Sequence, residues 1–314
     1  MKAFSRNMLV VAGLAGVSLL SYAAVAQTQP QSPPRQRPQP IQAWSAKPST
    51  LTPWTAPNKP LWKLSDVLAK HKGQSDWSEQ IVHDADFNAS YISMAPGKKT
   101  KPTFYADNRI FWVVQDGSIR FEIQGQEPFV ATKGYLVQVP ERVPFSMETV
   151  GDKPSLRFEV LDSRATPLYP IDQTPTPRAG KDYVKVSFTG QGHYDDVNKP
   201  YLDFQKTVVE GGARGGAFVK DDTTFANVIR GPGAPPAPPT NLGHFHVDYS
   251  EFWFILEGKV DYLIEGEPLF TAEQGDIVYA PMGRWHRASW GGTGMATRLA
   301  INPRPNGMHN YQPN

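Results

Sequence analysis

Four residues in the second half of the chain have the types and spacing to hold one metal ion: His244, His246, Glu251 and His286. The first three read H-x-H-x4-E, directly after Gly243. Further on, Gly275, Pro281, Gly283 and His286 read G-x5-P-x-G-x2-H. Residues i and i+2 of a β-strand point to the same face, so His244 and His246 present their rings side by side. Glu251 opens the next apolar run and can reach the same point. His286 follows a Pro-x-Gly turn, where proline presets its dihedral and glycine permits a tight reversal. Three imidazoles and one carboxylate suit one divalent transition metal per chain, Fe, Mn, Zn, Ni or Cu. They also leave one or two positions open on an octahedral ion, which a closed structural site would not.

Each motif alone is modest, because a lone histidine on an apolar face is more often a satisfied core residue than a ligand. Together they are specific: they stand in order, with sixteen residues between Gly258 and Gly275, and take three of the chain's seven histidines. The pair resembles the two sequence motifs of the cupin superfamily, small antiparallel jelly-roll barrels with a metal in the barrel mouth. The resemblance implies an all-β chain. Trp290 stands where the family often has asparagine, a departure that touches the local loop and leaves the ligand set intact.

An internal repeat implies two such barrels. A fixed shift of 141 residues lays Phe111–Phe145 on Phe252–His286 without a gap and pairs Gly117 with Gly258, Gly125 with Gly266, Gly134 with Gly275 and Pro140 with Pro281. In that register the four ligand positions fall on Thr103, Tyr105, Ile110 and Phe145. Isoleucine and phenylalanine cannot bind a metal. The expected fold is two tandem cupin barrels with few short helices, the first a degenerate, metal-free copy that packs, dimerises or shapes the other's entrance.

The expected organisation is a signal peptide at 1–26, a flexible Pro/Gln-rich linker at 27–60, a first barrel at 61–165, a connection at 166–182 and a second barrel at 183–314. Lys2 and Arg6, the apolar run from Met8 to Leu20, and Ala24-Val25-Ala26 before Gln27 have the form of a secretory signal, too short to span a bilayer comfortably. No twin-arginine pair is present, so export by the general secretion route to the periplasm or beyond is expected, with the metal acquired there. Intrinsic affinity would then favour copper and zinc over manganese and iron. A helix is expected over Ser65–Gly73, capped by Ser65. Strands are expected at Tyr91–Met94, Ile110–Val114, Ser118–Ile123, Leu136–Val139 and Leu156–Leu161, and again at Tyr183–Val186, Phe252–Leu256, Val260–Ile264, Ile277–Ala280 and Ala296–Ile301.

The chain has 314 residues, no cysteine and a formal net charge of +2. Disulfides and thiolate chemistry are excluded, and nothing in the charge argues for nucleic acid or, after processing, a membrane partner. The proline-dense run Arg230–Thr240 cannot join a sheet ladder and is expected to be a loop beside the pocket mouth. If Glu251 points inward, strand parity turns Trp253 and Ile255 inward too. Trp285, Trp290 and Tyr249 add to an aromatic surround, and Arg284, Arg287 or Arg298 can fix a substrate carboxylate, Arg298 being the choice for the pocket. What the resemblance implies is an oxygenase or lyase acting on a small organic substrate, aromatic ones included, with Glu251 as base. The competing expectation is a non-catalytic periplasmic binding or storage protein. A homodimer is expected by analogy with the family.

Overall fold

The two longest apolar runs of the repeat hide a two-residue alternation that only their packing reveals. In strand Ile110–Asp116 every residue but the last is buried, and so is every residue but the last of Glu251–Glu257. Phe111 and Val113 face one core and Ile110, Trp112 and Val114 another. Phe252, Phe254 and Leu256 join the first of these cores, while Trp253 and Ile255 enter a third. Each strand is thus covered on both sides: inward by its own barrel, outward by the core the two barrels share. A computed structural model describes residues 41–313 apart from residues 214 and 236. Residues 1–26, and with them the expected signal peptide, lie outside the described residues.

Both barrels are sandwiches of antiparallel strands, and the fold is all-β as expected. The first sets a six-stranded sheet, in the order Tyr201–Asp203, Tyr135–Val139, Ile110–Asp116, Ser155–Asp162, Phe87–Met94 and Trp77–His83, against a three-stranded one. The second sets Leu61–Trp62, Ile277–Ala280, Glu251–Glu257, Met295–Asn302, Phe225–Pro232 and Gly215–Lys220 against a five-stranded sheet. The shift of 141 residues holds down to hydrogen-bond register. Phe111 pairs with Val160 as Phe252 pairs with Ile301, and Val114 pairs with Arg157 as Ile255 pairs with Arg298.

Aromatic rings join the two sheets across the shared core. Phe87 meets Phe252 edge-on at 5.4 Å between centroids, and Phe158 lies 5.5 Å from Phe254. The Tyr91 hydroxyl of the first barrel donates to the Gly275 carbonyl of the second. Phe254 is 1% exposed, so Phe254→Ala should cost about 3–5 kcal/mol. Because both barrels own that core, urea denaturation of the variant should remain one transition; two separated transitions would refute the shared core.

Several expectations are corrected. The sheets do not follow the boundaries 61–165 and 183–314: Leu61–Trp62 pairs with Ile277–Val278 of the second barrel, and Tyr201–Asp203 pairs with Tyr135–Val137 of the first. Residues 43–60 are no free tether. Lys47 pairs with Glu265 at 2.9 Å, Trp54 Nε1 donates to Glu267 at 2.8 Å, and the Thr52 carbonyl accepts from Arg284. Low apolar content conceals an anchor that works through one indole and backbone carbonyls. The helix is Leu64–Lys70, with no side-chain cap; the Leu64 N–H donates to Asp276 Oδ1 at 2.9 Å instead. Residues 183–186 are extended and exposed but lie in no strand, having no neighbour to pair with.

Candidate metal centre

The backbone brings the four predicted ligands to one point. His244 pairs directly with His286 across the ladder. The Pro-x-Gly turn then fixes the third histidine, since the Gly283 N–H donates to the His246 carbonyl at 2.7 Å. Gly243, with φ of 82°, must lack a side chain, because a Cβ there would run into the His286 carbonyl. Glu251 sits at the mouth end of its strand, paired to Ala280, with 4% exposure.

Glu251 Oε2 lies 3.1 Å from His246 Nε2, 3.4 Å from His286 Nε2 and 3.7 Å from His244 Nε2. His244 and His286 bring their Nε2 atoms to 3.0 Å of each other. Donors bound at about 2.1 Å to one ion stand roughly 3.0–3.4 Å apart, so the spacing fits a metal. The outer nitrogens fit it too: His246 Nδ1 donates to the Met308 carbonyl at 3.1 Å and His286 Nδ1 to the Arg284 carbonyl at 3.0 Å. That tautomer leaves a lone pair on each inward Nε2. Acceptor atoms this close repel unless a cation lies among them.

The charges agree with that state. Burial opposes ionisation of Glu251, but the imidazoles of His244, His246 and His286 outweigh it and hold the carboxyl well below its usual range. Burial pushes His244 and His309 the other way and favours their neutral forms. An ionised carboxylate beside a neutral His244 is the form that ligates.

His309 is the functional residue the motifs miss. The C-terminal strand Asn310–Tyr311 pairs with His244–Phe245, and Asn310 Nδ2 donates to the Phe245 carbonyl at 3.0 Å. That brings the His309 ring to 4.6 Å from the His244 ring and 4.8 Å from the His246 ring. With His244, His246 and Glu251 it forms a second four-residue set whose donor atoms lie within 4.8 Å of one another. His286 is the better fourth ligand: it is 1% exposed, locked through Nδ1, and nearer to both Glu251 and His244. His309 belongs to a tail that covers the site, and sequence spacing offers no hint of it beyond a histidine near the end of the chain.

The predicted pocket residues divide. Trp253 packs its ring 5.4 Å from His286 and 5.2 Å from Tyr262, so it walls the site. Ile255 is fully buried in the barrel's own core. Arg298 stacks over Trp290 at 4.7 Å, and its Nε is buried without a hydrogen-bond partner among the described residues, as is the Tyr262 hydroxyl. Arg298 and Glu251 both act electrostatically on that hydroxyl, which burial keeps protonated far above the ordinary range. The other two arginines are structural. Arg284 donates to Thr52 and Glu265 carbonyls, and Arg287 donates to the Pro238 and Asn241 carbonyls of the proline-rich loop. The expectation that all of Arg230–Thr240 stays out of the ladder is corrected: Arg230–Pro232 end strand Phe225–Pro232 and pair with Thr297–Met295, beyond the last residue that pairs with Gly215–Lys220, and the Gly233 N–H then donates to the Gly294 carbonyl, so the loop that follows is tied at both ends.

A jelly-roll barrel with three inward imidazoles and a buried carboxylate defines a metal-binding β-barrel protein with one site for a divalent ion. Residues 232–302 match the family model for the cupin domain. No curated protein matches the sequence significantly. Among solved structures, the salicylate 1,2-dioxygenase of Pseudoaminobacter salicylatoxidans is similar at 14% identity and a TM-score of 0.57, over 77% of this chain and 83% of that one. A variant of that enzyme in complex with gentisate is similar at 13% identity and a TM-score of 0.57, over 77% and 81%. Likeness at this identity carries the fold alone. The family match places residues 232–302 among cupin domains, and the likeness gives the chain that fold.

Proposed function

We propose that this is a metal-dependent cupin enzyme, an oxygenase or lyase acting on a small organic acid with an aromatic body. The observation that carries the reading is the inward Nε2 set around an ionised Glu251, in a barrel that also holds unpartnered Arg298 and Tyr262 groups. A bound divalent ion would polarise a substrate oxygen and stabilise the negative charge that develops on it. The chain's own residues do the rest. Trp253 offers a flat face to a ring, Arg298 is a charged donor suited to a carboxylate, and Tyr262, held protonated, can donate a hydrogen bond. Glu251 would take a substrate proton on detaching from the ion. The tail bearing Met308 and His309 closes the site from water and must move for substrate to enter. Likeness of fold to a salicylate dioxygenase supports the aromatic substrate class. The test is oxygen uptake and product formation by metal-loaded protein on a panel of phenolic and dicarboxylic acids. Saturable binding of a panel member with no turnover would make the protein a binding or storage cupin instead.

We further propose export, on the charged start, the apolar run and the Ala24-Val25-Ala26 site. The mature protein should then begin at Gln27 by mass spectrometry, and an intact Met1 on the functional protein would overturn the proposal.

A further inference from the structure

The first barrel keeps the plan of the second at the very point where its ligands are lost. Thr103 bridges to Phe145 as His244 pairs with His286. Beside them lies a cavity of about 260 Å³, lined by Thr103, Tyr105, Phe145, Arg157, Glu159 and Tyr169 among others. Arg157 occupies the position that Arg298 occupies in the second barrel, facing the equivalent strand residue. A cation fixed by the chain thus stands near where the second barrel gathers metal ligands.

That cation lacks a partner. Arg157 is 4% exposed, and its Nε and Nη1 make no hydrogen bond among the described residues. Its only ion-pair contact among the described residues is Glu159 Oε2 at 3.9 Å, and that oxygen already accepts from Trp112 Nε1 at 2.7 Å. Burying an unsatisfied guanidinium is costly, and its planar fork matches a carboxylate. The walls supply an apolar counterpart: the rings of Tyr105 and Phe145 lie 6.4 Å apart at 26°, and Trp112 meets Phe145 edge-on at 5.0 Å. Burial keeps the Tyr105 hydroxyl protonated, hence a donor. Glu159 repels a second negative charge, which selects a monoanion. The connection closes one side, since Pro167–Leu168 pairs with Phe104–Tyr105 and Tyr169 follows. A cavity this small admits one ring and little more.

We propose that the first barrel is a binding site for a small monocarboxylate of the benzoate class, its carboxylate on Arg157 and its body against Tyr105 and Phe145. The inference is independent of the chemistry proposed for the second barrel. Benzoate titrated into the full chain by calorimetry should bind saturably. In protein that already carries Arg298→Met, which removes the second barrel's own carboxylate donor, benzoate should still bind, and adding Arg157→Met should weaken that binding by roughly tenfold or more, the loss expected for a charged hydrogen bond. Thr103→Trp fills the cavity without touching Arg157 and should also abolish binding, which keeps the test decisive if Arg157→Met does not fold. No saturable binding of benzoate in the Arg298→Met background, or binding left unchanged there by Thr103→Trp or by Arg157→Met, would each overturn the proposal.

Discussion

Protein carrying Glu251→Gln is expected to keep its metal and lose turnover by about 10²- to 10⁴-fold, the usual loss when a positioned acid/base group is removed. Three imidazoles stay in place, two of them locked through their outer nitrogens by backbone carbonyls, so the ion keeps most of its ligands. What disappears is the negative charge and the proton-accepting oxygen that the surrounding imidazoles hold ionised. Metal content by elemental analysis and turnover on the substrate found by the panel separate the two effects. A variant that retains metal and turns over at the parental rate would refute the catalytic role of Glu251 and leave it a ligand only.

Replacing His244 and His246 together by alanine should remove metal binding altogether, from one ion per chain in the parent protein to none. The change also has a stability signature. An ion present at about a thousand times its Kd stabilises the folded chain by about 4 kcal/mol, which corresponds to a rise in Tm of roughly 6–7 °C for a chain of this size. The parent protein should show that rise on adding metal, and the double variant should not. Two ions per chain, or one ion that survives the double substitution, would sink the assignment of a single site in the second barrel.

Much of this site could be read from the chain because its parts are local: two histidines two residues apart, the first on a short strand and the second just past its end, a carboxylate at the start of the next strand, and a Pro-x-Gly turn before the last histidine. The shift of 141 residues was legible for the same reason, and it extends to ladder register in Phe111, Val114 and their counterparts. What could not be read depends on distant partners. His309 gains meaning only because Asn310–Tyr311 lies along His244–Phe245. The Leu64 N–H is capped by Asp276, more than two hundred residues away, and not by its neighbour Ser65. Tyr183–Val186 has the composition of a strand but no neighbour to pair with, and Trp54 anchors a segment whose polar composition suggested freedom. Ile255 obeyed strand parity yet met core and not pocket, since parity gives a direction and not what lies in that direction.

The crossing of Leu61–Trp62 and Tyr201–Asp203 into each other's barrels bears on how the gene can be divided. A cut in the connection near Asp182 gives two fragments, each holding a strand that belongs in the other's sheet and missing one of its own. Each fragment exposes an open sheet edge whose complement its counterpart carries. Expressed apart, such halves are prone to aggregate through those edges; expressed together, they have the means to find one another and reassemble as a nicked whole.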